Sequence, residues 1–371
     1  MRQTRDKYRS NRGFSLIEML IATVLSLVVL SGAFVLTNQA VRLSDMVTQR
    51  SDMQQNARVA MNVMARDLSL AGTGFPRGGI QLPSGTDSDD SFFACDLDDC
   101  YVTNQVFTSE RLFAITPGDG KGPNINGVDT DVVTLVYKDT RSNLDQYALV
   151  QVGEFSNHPS AVIQLDSQTT PAYDDAVVGV KVGDVLVTCN VNGCAVGTVT
   201  AFVVAGDVSA IYMGELTEPS SFYVKDPLQF NQPDAAIGNK MAILSPPNGP
   251  PGPSYPPTTA YRVDVITYYI DASDPDSPLL MRQVNAHPPT PMAENIENLQ
   301  ITYDIFDLDA SVATANLTGA EMSFTPNQIR KVNISLTATS PRETILGRTV
   351  QRMPLTTSVG PRNLIYRDRY E

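Results

Sequence analysis

The chain has 371 residues, of which 42% are hydrophobic and 18% are charged, and its formal net charge is −13 at pH 7. This composition is that of a globular protein long enough for one large domain or two ordinary ones. The acidic balance disfavours a nucleic-acid backbone as a partner, and we expect no nucleic-acid binding.

The N-terminus combines a basic head with an apolar segment. Residues 1–13 hold five basic side chains against one acid, and the apolar segment from Phe14 to about Leu36 contains Glu18 as its only charge. About 20 to 25 such residues cross a bilayer as a helix. A secretory signal peptide fits poorly, because the segment is too long and no small-residue cleavage site follows it. The plain alternative is a single-span anchor with its basic end in the cytoplasm.

Beyond the bilayer the helical pattern continues to about Ala71. Apolar residues recur at spacings of three and four and predict one buried face, formed by Ala57, Ala60, Met61, Met64, Leu68 and Ala71. The charged residues predicted to lie off this face are Arg50, Asp52, Arg58, Arg66 and Asp67. Gly72 and Gly74, with Pro76 shortly after them, predict the end of the helix.

The stretch Gly13-Phe14-Ser15-Leu16-Ile17-Glu18 resembles the class III signal of type IV prepilins and pseudopilins. In that signal a short basic leader is followed by Gly, then Phe, with Glu at the fifth mature position. The resemblance implies that a prepilin peptidase cleaves between Gly13 and Phe14 and that Phe14 is N-methylated. It also implies that Glu18 pairs with the free amine of a neighbouring subunit and sets axial register, since a charge in lipid or an apolar bundle needs a partner.

A second likeness narrows the family. The stretch QQNARVAMNVMARDLSLAGTGFP (54–76) resembles the helix end of PilW-type minor pilins and of the related J pseudopilins. C-terminal segments follow the order expected of PilW, namely YRVDVITYYID (261–271), LLMRQV (279–284), AENIENLQITYDIF (293–306), IRKVNISLTA (329–338) and VGPRNL (359–364). The chain is much longer than the usual J pseudopilins, which favours a pilus over a secretion pseudopilus.

The family implies a minor pilin that helps to initiate pilus assembly and lies in the tip complex. Its partners would be other minor pilins, the major pilin, the prepilin peptidase and the inner-membrane assembly platform. The head would be periplasmic before assembly and at the cell surface afterwards. Two alternatives stay open: a J-type subunit of a type II secretion pseudopilus, and an adhesin carried by the pilus.

The remainder of the chain is rich in strand patterns. β-Branched and aromatic runs bounded by Gly, Pro, Asn or Asp predict strands at 131–137, 184–189, 198–204, 265–270, 299–306 and 331–337. Val332, Ile334 and Leu336 alternate with polar residues, so one face of that strand is predicted to be buried. The predicted fold is α+β and pilin-like, with a long N-terminal helix packed on an enlarged antiparallel head. The expected divisions are 1–13 (leader), 14–37 (membrane or filament-core helix), 38–71 (amphipathic helix) and 72–371 (head).

Two inserted segments read as loops. The segment 245–257 has seven prolines and predicts an exposed connector, with a Pro-rich recognition loop as the alternative. The segment 87–100 is acidic and is either a solvated loop or a calcium site, although it lacks the EF-hand spacing. The candidate calcium ligands are Asp87, Asp89, Asp90, Asp96, Asp98 and Asp99. No other cofactor is expected.

The four cysteines form two C-x4-C pairs, Cys95 with Cys100 and Cys189 with Cys194. Export to the envelope favours disulfides, and pairing within each loop is the simplest of the three connectivities. Asn192-Gly193 lies between the second pair and predicts a hairpin turn. Four thiolates also suit zinc, but the usual C-x2-C spacing is absent.

An enzyme is hard to build from this sequence. The two histidines, His158 and His287, each stand beside a proline in loop-like context, and no G-x-S-x-G motif occurs. The segment GTGFPRGG (72–79) lacks the strand and the G-K-[ST] end of a phosphate-binding loop. We therefore expect a structural or binding protein.

Overall fold

The structure is a computed structural model of the chain. It describes residues 13–82, 91–95, 100–102, 111–142, 144, 149–155, 158–166, 175, 179–191, 193–205, 208–214, 226–231, 258–307, 311–321, 326–340 and 350–366. Three predicted features lie outside these described residues. They are residues 1–12 of the predicted leader, the Pro-rich segment 245–257 and all six candidate calcium ligands. The calcium prediction is therefore untested.

The chain begins its regular structure with one long helix, α1, which spans Leu16–Leu70 and contains 55 residues. At the α-helical rise this is about 80 Å. Among the described residues, α1 is the helix that is long and apolar enough to cross a membrane, judged by length and composition. Gly72 and Gly74 follow it with φ of +79° and +64°, a left-handed conformation that favours glycine. The predicted helix end is confirmed.

The head is built from short and long antiparallel strands. The strands of its N-terminal part are β1 (Ile80–Gln81), β2 (Phe92–Cys95), β3 (Cys100–Val102), β4 (Arg111–Leu112), β5 (Ile115–Gly118), β6 (Asn124–Ile125), β7 (Val128–Asp129), β8 (Val132–Lys138), β9 (Leu149–Phe155), β10 (His158–Asp166), β11 (Val185–Asn190), β12 (Gly193–Thr198), β13 (Ala201–Ala205) and β14 (Val208–Gly214). Those of its C-terminal part are β15 (Thr259–Asp271), β16 (Leu279–Val284), β17 (Thr290–Glu294), β18 (Ile296–Asp307), β19 (Val312–Leu317), β20 (Ile329–Thr339) and β21 (Arg352–Val359), with a 3-10 turn at Pro326–Gln328 and a short helix, α2, at Arg362–Tyr366.

Three larger sheets organise the described part of the head. The central sheet has seven strands, in which β15 pairs with β8 along one edge and with β11 and then β16 along the other. The C-terminal sheet has the order β19-β18-β20-β21, and the side sheet has the order β13-β14-β10-β9. Because β15 is 13 residues long, it joins two hairpins, β11–β12 and β16–β17, into one sheet.

The core lies between α1 and the two sheets that face it. The buried face of α1 shares one hydrophobic cluster with the inner faces of the central and C-terminal sheets. Val332, Ile334 and Leu336 on β20 are at most 1% exposed, which confirms the predicted alternation. The predicted α+β architecture, a long N-terminal helix packed on an antiparallel β-rich head, is confirmed.

The segment 198–204 departs from its prediction as one strand. It divides between β12 and β13, because the amides of Val199 and Thr200 donate to the carbonyls of Asp184 and Tyr212, at 2.8 and 2.9 Å. The chain thus leaves the central sheet and enters the side sheet. The side sheet covers the hairpin β11–β12 through a separate hydrophobic cluster that includes Ile211, Met213 and Leu186.

Candidate functional site

The N-terminal end of α1 is fully accessible. Gly13 and Ser15 precede the helix in non-helical conformation, and nothing lies within 4 Å of a Cβ placed on Gly13. Phe14 is 87% exposed. Glu18 lies in the first helical turn, where its negative charge is favoured by the helix dipole. Both residues that flank the predicted cleavage site are therefore exposed.

The apolar part of α1 is exposed along its length. No residue from Leu16 to Leu36 is buried, and the large side chains in this range are more than half exposed. The hydroxyls of Thr23, Ser26, Ser31 and Thr37 each donate to a carbonyl three or four residues earlier, at 2.7 to 2.9 Å. These internal bonds make the hydroxyls compatible with lipid or with a dry helix bundle.

Glu18 is the exception in this segment. Its carboxylate has no hydrogen-bond or ion-pair partner among the described residues. A charge in an apolar environment is costly unless it is paired. Within the described residues, the helix thus presents one carboxylate without a partner in an otherwise apolar surface.

The distal half of α1 is fixed to the head by its apolar face. Met53 and every residue of the predicted buried face are at most 6% exposed. The elements they pack against are β8, β17, β20, β21 and α2. The face consists of alanines, methionines and one leucine. The predicted stripe is confirmed.

Asp67 contradicts its prediction as a residue off the buried face. It is 4% exposed and points into the head. Its carboxylate accepts hydrogen bonds from the Tyr268 hydroxyl at 2.7 Å and from Arg282 Nε at 2.9 Å, and the Tyr137 hydroxyl lies at 3.5 Å. The physical reason is compensation: a carboxylate is buried where a guanidinium and hydroxyls replace water. Periodicity could not reveal these partners, which lie up to 215 residues away.

The tyrosines of this junction stay neutral. Burial, and then the charge of Asp67, raises the pKa of Tyr268 and of Tyr137 above the usual range. Both hydroxyls are therefore held as donors toward Asp67. We name Asp67, Arg282, Tyr268 and Tyr137 the junction cluster.

The chain after α1 is tied to the same region. The Gly72 amide donates to the Val136 carbonyl at 2.8 Å, and the Lys138 amide donates to the Thr73 carbonyl at 2.7 Å, so the helix end continues directly into β8 pairing. Asn363, on α2, donates to Thr73 Oγ1 and closes the end of α1 from the C-terminal side.

A second buried charge cluster lies in the central sheet. Arg262 donates through Nη2 to Asp139 at 2.6 Å and through Nη1 to Asp184 at 3.0 Å, and His287 Nε2 lies 2.8 Å from the other oxygen of Asp184. Burial acts to raise the pKa of Asp184, but the bonds from His287 and the Lys181 amide and the charge of Arg262 together lower it. This carboxylate stays ionised.

This second cluster joins neighbouring strands. Asp139 follows β8, Asp184 precedes β11 and Arg262 is on β15, so the cluster fixes three neighbouring strands. His287 lies in the turn after β16, as its loop-like context indicated, whereas His158 is the first residue of β10. In the described part of the chain, the ring of His287 bonds to Asp184, and no Ser, Thr or Cys side chain bonds to it.

The cysteine pairs fall on two hairpins. Cys189 and Cys194 face each other across β11 and β12 and form a disulfide, as predicted. Cys95 and Cys100 are likewise opposite each other in the backbone pairing of β2 and β3. The side chains of this first pair lie outside the described part of the structure, so their bridge stays a prediction. Among the described residues, no group of three or more His, Cys, Asp or Glu is placed to hold a metal ion.

Comparison with known proteins identifies the N-terminal segment. Residues 8–34 match the prokaryotic N-terminal methylation motif. No curated protein and no solved structure matches the chain. The match supports a type IV pilin-like or pseudopilin protein, and it favours a structural role. It also implies processing by a prepilin peptidase and assembly with other pilins.

Proposed function

We propose that the chain is a PilW-type minor pilin of a type IV pilus, which takes part in the initiation of pilus assembly and lies in the tip complex. The observation that carries the proposal is the match of residues 8–34 to the methylation motif, together with a helix whose apolar half has no buried residue. In the monomer, this helix exposes apolar side chains and a carboxylate that has no partner among the described residues. A bundle of like helices would bury the apolar side chains and offer the carboxylate a partner.

The roles follow from position. The prepilin peptidase cleaves between Gly13 and Phe14, and Phe14 is then N-methylated. Glu18 pairs with the terminal amine of a neighbouring subunit and sets the axial register of the helix. Before assembly the helix anchors the protein in the inner membrane with the head in the periplasm, and after assembly the head is at the cell surface. The partners are the other minor pilins, the major pilin and the inner-membrane assembly platform.

The first test is mass spectrometry of the full chain purified from its own membranes. A mature chain that starts with N-methyl-Phe14 supports the pilin class, whereas an intact Met1 terminus contradicts it. Replacement of Gly13 by Leu is expected to block cleavage. Glu18→Ala is expected to leave cleavage intact and to abolish entry into filaments, with Asp52→Ala, an exposed acid on the same helix, as the matched control.

Filament counts separate the candidate roles. A deletion strain with few or no pili supports a role in initiation. Normal numbers of pili that no longer adhere would assign the head to adhesion instead. Normal pili with a secretion defect would assign the chain to a J-type pseudopilus.

A further inference from the structure

The hairpin β6–β7 exposes an Asn-Gly pair at its tip. Asn126 and Gly127 form the two-residue turn between the strands, with φ of +54° and +84°, and both residues are exposed. Nothing lies within 4 Å of a Cβ placed on Gly127. Because glycine has no side chain to shield its amide nitrogen, that nitrogen can react with the carboxamide of the preceding asparagine, a chemically labile residue.

We propose that Asn126 is a site of spontaneous deamidation and that Asn124 and Glu297 hold it in the unreacted form. In this reaction the Gly127 amide nitrogen forms a bond to Cγ of Asn126, and its proton passes to the leaving amide. The bond between Cγ and Nδ2 breaks, ammonia leaves, and a cyclic succinimide remains. Water then opens the ring: addition at Cγ gives aspartate, and addition at the main-chain carbonyl carbon gives isoaspartate.

Two hydrogen bonds occupy the two reacting groups. The Gly127 amide donates to Asn124 Oδ1 at 3.1 Å, and Asn126 Nδ2 donates to Glu297 Oε2 at 3.1 Å. Asn124 is itself fixed, because its Nδ2 donates to Asp129 Oδ1 at 2.7 Å. The attacking nitrogen and the carboxamide are thus directed at separate acceptors, and these bonds have to open before the nitrogen bonds to Cγ. A single hydrogen bond of this kind changes an equilibrium constant by about fivefold.

Glu297 suits this role because it is held from its other side. Its side chain is only 11% exposed, and its Oε1 accepts a hydrogen bond from Arg352 Nε at 2.5 Å. Glu297 lies on β18, 171 residues after Asn126, so the bond between them ties the hairpin β6–β7 to the C-terminal sheet.

Deamidation removes this tie. Both products replace the neutral carboxamide by a carboxylate, and aspartate places that carboxylate beside Glu297, where like charges repel. Isoaspartate also adds a backbone carbon to the two-residue turn and so disturbs the pairing of Ile125 with Val128. Ile125 packs against the main hydrophobic core, so the change extends into the head. The chemistry is independent of the proposed function, because it involves the head alone.

The test follows the purified full chain in detergent over time at mildly alkaline pH. Peptide mass mapping measures the fraction of Asn126 that has been converted. The sequence supplies two reference pairs for the same measurement, Asn192-Gly193 and Asn248-Gly249. The wild-type chain in denaturant gives the rate at which Asn126 reacts without either hydrogen bond.

Two variants isolate the role of the acceptors. Asn124→Ala with Glu297→Ala removes both of them. Arg352→Ala is the matched control, because it removes the ion pair of Glu297 and leaves the Asn126 side chain with its acceptor. Thermal melting checks that each variant is folded.

We expect Asn126 to react at least about tenfold more slowly in the folded wild type than in denaturant, and the double variant to react about fivefold faster or more than the folded wild type. Arg352→Ala should change the rate by less than about twofold. Absence of conversion at Asn126 in denaturant would overturn the assignment of the site. Equal rates in the folded and denatured wild type would overturn the protection, even if the double variant does not fold. Equal acceleration of the double variant at the reference pairs would indicate general loosening and would also overturn the protection.

Discussion

The junction cluster gives the sharpest prediction on stability. Asp67→Ala removes the acceptor shared by Arg282 and Tyr268 and leaves a guanidinium with only 21% side-chain exposure without its carboxylate. Breaking a buried ion pair from one side typically costs about 3–5 kcal/mol. The partial exposure of Arg282 lets water replace part of the interaction. We therefore expect the free energy of unfolding to fall by about 3 kcal/mol, at the lower end of that range.

Chemical denaturation of the detergent-solubilised full chain measures this loss. The chain has no Trp and 14 Tyr, so tyrosine fluorescence reports unfolding. Asp52→Ala, on the exposed side of the same helix, is the matched control and should change the free energy by less than about 0.5 kcal/mol. A loss below about 1 kcal/mol for Asp67→Ala would refute the claim that the pair stabilises the junction. An Asp67→Leu, Arg282→Met double variant should lose less than Asp67→Ala, because no buried charge is left unpaired.

Three further predictions concern the head. Burial raises the pKa of Asp264 to about 6, and the charge of Asp139 adds to this shift. Ionisation of Asp264 therefore lowers the free energy of unfolding as the pH rises through 6. Asp264→Asn should stabilise the head at pH 7 by about 2 kcal/mol and should flatten the dependence of stability on pH between pH 4 and 6. Replacing Cys189 and Cys194 by Ser should cost about 2 kcal/mol, the loop-closure value for so short a loop, and a loss near zero on denaturation would contradict it. Gly74→Ala should lower the melting temperature, since φ is +64° and the added Cβ would lie 2.8 Å from Lys138 Cβ, whereas an unchanged melting temperature would mean that this turn relaxes freely.

Local patterns predicted what depends on local physics. The buried stripe from Ala57 to Ala71, the helix end at Gly72 and the long strands β15, β18 and β20 follow from periodicity, glycine conformation and β-branched composition. The methylation motif could also be recognised from the sequence, because its Gly, Phe and Glu are spaced within six residues. Each of these features is encoded in neighbours along the chain.

Contacts between distant segments could not be predicted from the sequence. Asp67 carries no local mark of burial, since its partners Tyr268 and Arg282 come from strands about 200 residues later. The same holds for Arg262, whose two carboxylates precede it by 123 and 78 residues. The side sheet escaped prediction because the run 198–204 contains no Gly, Pro, Asn or Asp to show where one strand ends and the next begins. A sequence shows that such a residue is charged, but it does not show which distant strand supplies the opposite charge.

Glu18 and Asp67 lie near opposite ends of α1 and differ in their partners. Asp67 is compensated within the chain, so its loss acts on the monomer, before any assembly. Glu18 has no partner among the described residues, so under the proposed function we expect its loss to act when helices meet. Accordingly, Asp67→Ala should lower the amount of protein in the membrane, while Glu18→Ala should leave that amount unchanged and lower only the amount in filaments. About 73 Å of helix separates the two groups, so an effect of Glu18→Ala on the contacts of Asp67 would contradict this separation of roles.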